Sequence, residues 1–436
     1  MRTALQFVSR GARASVRGSG AYYLWLGFLL LLVVLGAVAY GHQLRRGLVV
    51  TNMTDQVSWG FYIGNFTFLV GTAAAAVMIV IPAFAYRQRA LREVVVLGEL
   101  MAVVTVAMCL VFVVVDLGQP ARLWHMLPLF GRPNFPASVM TWDVVALTGY
   151  LLLNAFLSAH VLYATFRGSA PGGRGYRALV WVAIPWAISI HTVTAFIYSG
   201  LGARPYWHAA VLAPHFLASA FAAGPALLIA VLLAVRRHLA LPVDDLAIRR
   251  LRQIAAVAML VNLFLFGAEV FTELYAQTAH AASMRYHLFG LPGQRLPAAL
   301  TWAAVALDAL AVVGLMALRP QRQRGLLAGA CWCAVVGVWM EKGLGLVVPG
   351  LVPTPLGEVA GYTPSATELC VGAGIWAGGA LLYSLLVKGA AAIQSGELRA
   401  ILLRPRIVAP RDDSGLREAP ETGVGVGAPT PRQPAA

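Results

Sequence analysis

The sequence contains few charged residues. Asp, Glu, Lys and Arg make up 12% of its 436 residues, whereas soluble globular chains have about 25%. Hydrophobic residues make up 59%. A soluble domain is excluded, because a water-exposed surface needs more charged side chains than this sequence contains. The composition predicts a polytopic membrane protein.

Acidic residues are scarcer than basic ones, with 18 Asp and Glu against 33 Lys and Arg, and the net charge is +15. In a soluble protein this excess would suggest nucleic acid as a partner. Here the basic residues lie mainly in the connections between apolar runs, where they set membrane topology. We therefore expect a lipid bilayer, and no nucleic acid, as the partner of the basic residues.

Cysteine is rare as well. The four cysteines lie in apolar runs, with no C-x-x-C pair and no C-x-x-C-H site for covalent haem: Cys109, Cys331, Cys333 and Cys370. We expect no iron–sulfur cluster and no covalent haem in this chain. Any cluster must belong to a partner subunit.

Long apolar runs divide the chain into three parts. A basic N-terminus, 1–20, precedes a transmembrane domain, 21–390, and a tail, 391–436, whose Pro, Gly and Arg content predicts disorder. The run 21–40 is too long for the apolar part of a signal peptide, although Ala37-Val-Ala39 imitates a cleavage site. Ten spans are predicted: 21–40, 58–86, 93–116, 138–166, 178–199, 207–235, 252–279, 297–318, 325–347 and 366–388.

The basic residues are distributed unevenly between the two sides. Of the 33 Lys and Arg, 25 lie in the two terminal segments and in the connections after the even-numbered spans. The positive-inside rule then places both termini in the cytoplasm. The long outward loops are 117–137, 280–296 and 348–365, and we expect the first and last of them to dock a partner protein.

Ionisable residues interrupt the spans mainly in their outer halves. Lipid offers such a group no water, so it must face other helices or a cavity. A buried carboxylate without a partner takes up a proton, which makes Asp143, Glu269 and Glu273 candidates for proton transfer. Glu269 and Glu273 are four residues apart on one helix face, and we expect one proton to be held between them.

Other polar and aromatic residues in the outer halves of the spans could have a structural role and no role in chemistry. Asp116 with Arg122, and Glu341 with Lys342, could be interfacial pairs that hold loops. Three tryptophans are expected to anchor helices at the membrane interface: Trp59, Trp142 and Trp207.

Five segments resemble the NrfD/PsrC family of membrane subunits. SWGFYIGNFTFLVG at 58–71 is similar to the helix that opens the family's conserved core, and DLGQPAR at 116–122 is similar to the loop after the next helix. IPWAISIHTVTAFIY at 184–198, FLASAFAAGPALL at 216–228 and EKGLGL at 341–346 are similar to the DsrP branch, a subunit linked to sulfur metabolism. The resemblance covers residues 20–390.

The resemblance implies an all-α bundle of two four-helix units with two extra helices, in a bacterial cytoplasmic membrane. It implies a subunit that exchanges electrons between membrane quinone, such as menaquinone, and an extracytoplasmic ferredoxin-like iron–sulfur subunit. Position by position, Asn65, Asp116 and His191 are then the candidates for contact with the quinone ring. Tyr198 and His215 follow as further candidates.

Two other classes remain open from the sequence. An ion or solute transporter would also use buried acids among ten helices, and it would favour broken helices in paired halves. A b-haem cytochrome would need two histidines at matching depth, and His191 with His215 is the pair available.

Overall fold

The computed structural model describes residues 2–73, 79–80, 91, 94–126, 130–239, 241, 243–277, 280–291, 293–318, 322–352, 354, 356–358, 360–396 and 398. The regular elements in this part of the chain are helices, and no β-strand is present among them. The α-helices are α1 (Arg2–Val16), α2 (Gly20–Arg46), α3 (Phe61–Ala73), α4 (Val95–Asp116), α5 (Val139–Arg167), α6 (Arg174–Ser199), α7 (Leu212–His238), α8 (Asp245–Ala276), α9 (His280–Phe289), α10 (Leu296–Ala317), α11 (Arg324–Lys342), α12 (Leu344–Leu351) and α13 (Ala366–Gln394).

Nine helical segments of the described chain are long and apolar enough to cross a membrane, with α11 and α12 counted as one segment, Arg324–Leu351. The all-α polytopic architecture is therefore confirmed. The helix α3 is apolar but shorter, and most of the predicted span 58–86 beyond it lies outside the described residues. The predicted span 207–235 begins later, at Leu212, because 200–211 forms turns that follow α6.

The spans pack as two four-helix units. The first unit contains α3, α4, α5 and α6, and the second contains α7, α8, α10 and α11. The units meet where α7 lies against α3 and α6. The two extra helices, α2 and α13, pack on each other, and α13 also packs on α4 in the first unit.

Small residues permit the closest of these approaches. A Cβ atom built on Gly36 of α2 would lie 2.6 Å from Cα of Gly374 in α13, so the two backbones touch. Between the units, a Cβ on Gly71 would lie 3.6 Å from Cα of Ala220. Helix contact through small residues is what a bilayer favours, since lipid supplies no hydrophobic force between helices. Small residues continue along the sequence at 74–76, which lie outside the described chain.

The end of the bundle that carries the connections 47–60, 117–138, 200–211, 277–295 and 352–365 is called the outer end here, following the count of basic residues. Several of its hydrogen bonds converge on Glu368 in the first turn of α13. Glu368 forms a capping box with Ser365 and accepts a hydrogen bond from Tyr362, whose hydroxyl accepts the N–H of Phe61 at 2.7 Å. Burial, with Glu368 beside it, raises the pKa of Tyr362 well above its ordinary value. These bonds fix where α3 begins.

Two expectations for the outer end are wrong. The loop predicted at 348–365 begins as the buried helix α12, because Gly343 breaks α11 and the chain continues as helix to Leu351. That part is therefore closed to a partner. Trp207 is also no interface anchor: its side chain is fully buried, and its Nε1 donates to the Leu346 carbonyl at 2.9 Å.

Candidate functional site

A buried polar contact joins α5 and α6 near the outer end of the first unit. Asp143 lies about one turn into α5, and His191 and Thr194 are three residues apart on one face of α6. Thr194 Oγ1 lies 2.6 Å from Asp143 Oδ1 and 2.8 Å from the Ile190 carbonyl oxygen. The side chains of Asp143, His191 and Thr194 are all buried.

The Asp143–Thr194 contact suits two protonation states. A threonine hydroxyl carries one hydrogen, so Thr194 cannot donate fully to both acceptors. Both contacts are hydrogen bonds when the Asp143 carboxyl is protonated and donates to Thr194, which then donates to Ile190. When Asp143 is ionised, Thr194 donates to the carboxylate instead. A group that is held in place in both states can exchange protons without moving.

Tyr198 extends this face by one turn. Its hydroxyl contacts Thr67 Oγ1 of α3, and because Thr67 also donates to the Ile63 carbonyl at 2.8 Å, Tyr198 is the donor. The Tyr198 ring packs edge-on against Trp59 and Trp207, with centroids 5.5 and 5.1 Å away. The side chains that form this site are called the first-unit cluster: Thr67, Asp143, His191, Thr194 and Tyr198.

His191 is the member of the first-unit cluster with unused hydrogen-bonding capacity. Its side chain is 1% exposed, and Nε2 is buried without a hydrogen-bond partner in the described chain. Buried ring nitrogens are normally paired, so an orphaned one calls for a ligand or a water molecule. His191 can therefore donate to, or accept from, a molecule bound at this face.

Asp116 ends α4 at the outer end, within electrostatic range of Tyr198 in the first-unit cluster. Its Oδ1 is buried without a hydrogen-bond partner in the described part of the chain, and its charge interacts with Tyr198 and with Glu368. The expected pair with Arg122 is not formed among the described residues, because the 3₁₀ segment Pro120–Met126 leaves Arg122 exposed. Asp116 therefore keeps an open oxygen, as a ligand contact would require.

Asn65 points away from the first-unit cluster. Its Oδ1 accepts hydrogen bonds from Trp339 Nε1 of α11 at 3.0 Å and from Trp376 Nε1 of α13 at 2.8 Å. Its Nδ2 donates to the Phe61 carbonyl at 2.8 Å. Asn65 thus links α3 to two other helices, and the structure does not bring it together with His191.

A second buried polar group lies in the second unit and is called the second-unit cluster. His215 Nε2 of α7 lies 2.8 Å from Glu341 Oε1, and His215 Nδ1 lies 3.6 Å from Glu269 Oε2 of α8. Asn262 Nδ2 donates to Glu341 Oε2 at 2.7 Å, and Lys342 Nζ lies 3.6 Å from Glu341 Oε1. Two carboxylates, a histidine and a lysine therefore share one apolar interior.

Most of the second-unit cluster was not predicted from the sequence. Glu341 and Lys342 do form the expected pair, but Lys342 is only 4% exposed and the pair lies inside the unit, so it does not hold a surface loop. Asp308 of α10 interacts electrostatically with both residues. One signal was available: Asn262 and Glu269 are seven residues apart on α8, which places them on one helix face.

His215 lies between two carboxylates in the second unit. The two ring nitrogens of His215 lie 2.8 and 3.6 Å from carboxylate oxygens, and a role of His215 as a ligand of haem iron or quinone stays a prediction. Glu273 is half-buried and lies one turn beyond Glu269, which faces His215. The proton shared between Glu269 and Glu273 stays a prediction.

Aromatic rings connect the two clusters. Phe216 of α7 packs against Tyr198 with centroids 5.9 Å apart. Lys342 Nζ lies 5.3 Å from the centroid of the same Phe216 ring. A cation over an aromatic ring is attracted by its quadrupole, so Phe216 contacts both the tyrosine of one cluster and the cation of the other.

An apolar groove of about 370 Å³ lies between α5 and α6 on the outside of the first unit. Its lining includes Ala146, three residues after Asp143, and Ser189 and Val193, which lie two residues before and after His191 and therefore on the opposite side of α6. Gly149 leaves room for the Trp186 indole, which lines the groove and whose Nε1 donates to the Ala146 carbonyl at 2.8 Å. The groove is lined by Phe135, Trp142, Val145, Ala146, Val182, Pro185, Trp186, Ser189 and Val193.

Comparison with known proteins identifies a family and several relatives. The family model described as "Polysulphide reductase, NrfD" matches residues 49–353, which contain both clusters. A putative membrane subunit of dimethyl sulfoxide reductase from Halobacterium salinarum is 27% identical over 402 residues, covering 82% of this chain and 88% of the relative.

Two further relatives are similar at lower identity. The Hdr-like menaquinol oxidoreductase integral membrane subunit of Archaeoglobus fulgidus is 22% identical over 386 residues, covering 83% of this chain and 92% of the relative. A selenate reductase subunit of Mesobacillus selenatarsenatis is 22% identical over 238 residues, covering 47% of this chain and 55% of the relative. These relatives are all named as subunits of oxidoreductases.

Proposed function

Because this chain belongs to the polysulphide reductase NrfD family, we propose that it exchanges electrons between a membrane quinone and an iron–sulfur partner subunit. The relative named for menaquinol supports menaquinone as the substrate class. Conversion between quinol and quinone moves two electrons and two protons. The membrane subunit must therefore hold the ring oxygens and connect them to groups that take up or release protons.

The observation that carries the proposal is the orphaned nitrogen of His191. A quinone carbonyl or quinol hydroxyl at His191 Nε2 would satisfy it. Asp116, with an open buried oxygen, and Tyr198, whose hydroxyl donates to Thr67 but can still accept a hydrogen bond, are the further ring contacts. The other candidates, Asn65 and His215, already have intramolecular partners, and any role for them in quinone binding would act through these helix contacts.

Protons would pass through acids near the ring. In quinol oxidation, Asp143 would accept a ring proton while Thr194 keeps the carboxylate in place; in quinone reduction the transfer would run in the opposite direction. Glu269 and Glu273 lie nearer the outer end of the second unit, and we assign them to proton exchange with the outer aqueous side. Through the contacts of Phe216 with Lys342 and with Tyr198, the net charge of the second-unit cluster would influence proton transfer in the first-unit cluster.

The groove between α5 and α6 is the proposed entrance for the substrate. Quinones carry an isoprenoid tail, and an apolar groove bounded by Trp142 and Trp186 would hold such a tail at the edge of the lipid. The ring would have to pass between α5 and α6 beside Ala146 to reach Asp143 and His191, because the groove residues of α6 lie on the side of that helix away from His191. Gly149 is essential to this shape, since a larger residue would displace the Trp186 indole.

The terminal substrate is assigned to the partner subunits. The relatives are named for dimethyl sulfoxide, selenate and menaquinol, although they align with one membrane chain. Complexes with different terminal substrates are expected to share one type of membrane subunit when that subunit reacts with quinone. The similarity of 184–198 and 216–228 to the DsrP branch supports a sulfur compound here.

We propose that the chain lies in a bacterial cytoplasmic membrane with both termini inside and the partner at the outer end. The basic-residue count supports this orientation. The exposed aromatic residues of 117–137 support docking there, with Trp124 50%, Phe130 71% and Phe135 60% exposed. Crosslinkers at Ser138 or Thr354 should capture the iron–sulfur subunit, and crosslinkers at Arg174 should not.

A binding experiment tests the quinone site directly. The fluorescent quinol analogue 2-heptyl-4-hydroxyquinoline N-oxide loses emission when it binds, so its affinity for the purified chain can be titrated. Changing His191 to Ala removes the proposed hydrogen bond and should weaken binding by about tenfold. His208 is the matched control, because it is an exposed histidine whose Nδ1 contacts the Ser199 carbonyl.

The outcomes separate the alternatives. Weaker binding in His191→Ala with unchanged binding in His208→Gln supports the site. Equal affinity in both variants and the unaltered protein places the quinone elsewhere. Co-purification in mild detergent then tests the partner: an iron–sulfur subunit is expected, and an isolated chain that moves solute in liposomes would support a transporter.

A further inference from the structure

The N-terminal helix α1 lies against the inner end of the bundle without spanning it. Phe7 packs on Tyr163 and Phe166 in the last turns of α5, with ring centroids 5.4 and 5.6 Å away. A Cβ atom on Gly389 of α13 would lie 2.5 Å from Ser15 Oγ. Since α5 and α13 are membrane spans, α1 rests at the depth where these spans end.

The start of α2 fixes this position. The Tyr22 hydroxyl donates to the Ser15 carbonyl at 2.7 Å, and Ser19 caps α2 at Tyr22 N–H. Lys388 Nζ of α13 lies 3.8 Å from the Tyr22 ring centroid. The chain therefore turns directly from α1 into the first span, which keeps α1 beside the bilayer surface.

The surface of α1 has three sectors, at about 100° of rotation per residue. Phe7, Gly11, Ala14 and Ser15 form the sector that packs on the bundle, and they are partly buried. The second sector is apolar and exposed: Leu5 is 64%, Val8 63% and Val16 54% exposed. The third sector is basic: it contains Arg10, which is half-buried, and Arg13, which is exposed, and the exposed Arg17 follows directly after the helix.

We propose that α1 lies in the interface of the inner leaflet and binds anionic phospholipid. Its apolar sector would enter the acyl chains, and its basic sector would meet the lipid phosphates. A helix with this division of apolar and basic sides binds at a membrane surface when anionic lipid is present. The inference is independent of the quinone site, since α1 contacts the opposite end of the bundle.

Two matched probes test the depth of α1. In a chain with Cys333→Ser and Cys370→Ser, the two cysteines that are not buried, an environment-sensitive fluorophore is attached at Val8→Cys or at Gln6→Cys. Gln6 is exposed but lies beside the basic sector. In vesicles, the Val8→Cys label should emit at shorter wavelength and be quenched by spin labels on acyl chains, and the Gln6→Cys label should not. A water-like emission from Val8→Cys would overturn the proposal.

A second experiment tests the lipid charge. The full chain is reconstituted with photoreactive phosphatidylglycerol or photoreactive phosphatidylcholine, and labelling of the α1 peptide is measured. Phosphatidylglycerol should label it preferentially, and Arg13→Gln with Arg17→Gln should reduce that preference by roughly fivefold per arginine. The control pair Arg237→Gln with Arg250→Gln, also exposed arginines at the inner end, should retain it. Equal labelling by the two lipids in the unaltered chain would contradict the proposal.

Discussion

At the scale of single residues, buried hydrogen bonds decide which side chains are available for chemistry. His191 and Asp116 keep buried polar atoms without a partner in the described chain, whereas Asn65 forms hydrogen bonds and His215 forms ion-pair contacts with other helices. Residue type was a poor guide here, since all four are polar and membrane-embedded. What distinguishes them is whether a neighbouring helix in the described chain provides a partner.

Thr194 provides a sharp test of the first-unit cluster. Changing it to Val keeps the shape but removes the hydrogen bond to Asp143. Quinol turnover per assembled complex should fall by about tenfold, and the pH profile should shift, because the carboxyl loses a fixed partner. Thr192→Val is the control, since Thr192 Oγ1 donates to the Ile188 carbonyl of its own helix. Equal turnover in both variants would remove Thr194 from the mechanism.

His287 in α9, outside the spans, gives a prediction for pH. Burial lowers its pKa from 6.5 to about 4, while Thr301 Oγ1 lies 3.2 Å from the ring. The folded protein therefore holds the neutral form, and its stability is lost as pH falls from about 6.5 towards 4. His287→Gln should flatten the dependence of Tm on pH in detergent, because it removes a slope of at most about 1.4 kcal/mol per pH unit from the free energy of unfolding. Parallel curves for the variant and the unaltered chain would show that His287 does not contribute.

At the scale of elements, three helices of the second unit share one charged interior. Helices α7, α8 and α11 each contribute to the second-unit cluster, and the net charge there depends on which groups hold protons. Breaking a buried pair leaves an uncompensated charge and costs about 3–5 kcal/mol. Substitutions in this cluster must therefore be judged by assembly as well as by activity.

The acids of α8 test whether this interior exchanges protons. Glu269→Gln and Glu273→Gln should each slow quinol turnover while the complex stays assembled. The double variant should cost little more than either change, because the two acids would act as one unit. If the acids only hold helices together, the yield of assembled complex should fall while turnover per complex stays normal. Glu269→Gln would then have the larger effect, since Glu269 faces His215.

At the scale of the whole molecule, the bundle has two chemically different ends. The inner end carries α1 and most of the basic residues, and the outer end carries the long connections and the two clusters near it. This polarity is what a subunit between membrane quinone and an extracytoplasmic partner would require.

Reporter fusions test the orientation. A reporter that is active only outside the cytoplasm should be silent when fused after Lys388 and active when inserted in 280–296. The expectation follows from the position of 25 of the 33 basic residues. The reverse pattern would exchange the inner and outer ends throughout.

The sequence alone was sufficient for the order of the nine described spans, which correspond to nine of the ten predicted runs. A helix in lipid must satisfy its backbone within itself, so each span is a local property of about 20 apolar residues. The predicted span 366–388 and the observed α13, Ala366–Gln394, begin at the same residue. The resemblance to the family was likewise visible in the sequence, because each similar segment is contiguous and can be recognised without knowing which helices pack against it.

Only the tertiary structure decided which polar residues meet. The rotation of each helix about its axis, and the identity of its neighbours, depend on residues far apart in the chain. The sequence therefore did not show that Glu341 contacts His215 and Asn262 in a buried cluster. It also did not show that Asn65 accepts hydrogen bonds from Trp339 and Trp376. Hydropathy measures how a segment interacts with lipid, whereas a site depends on how helices interact with one another.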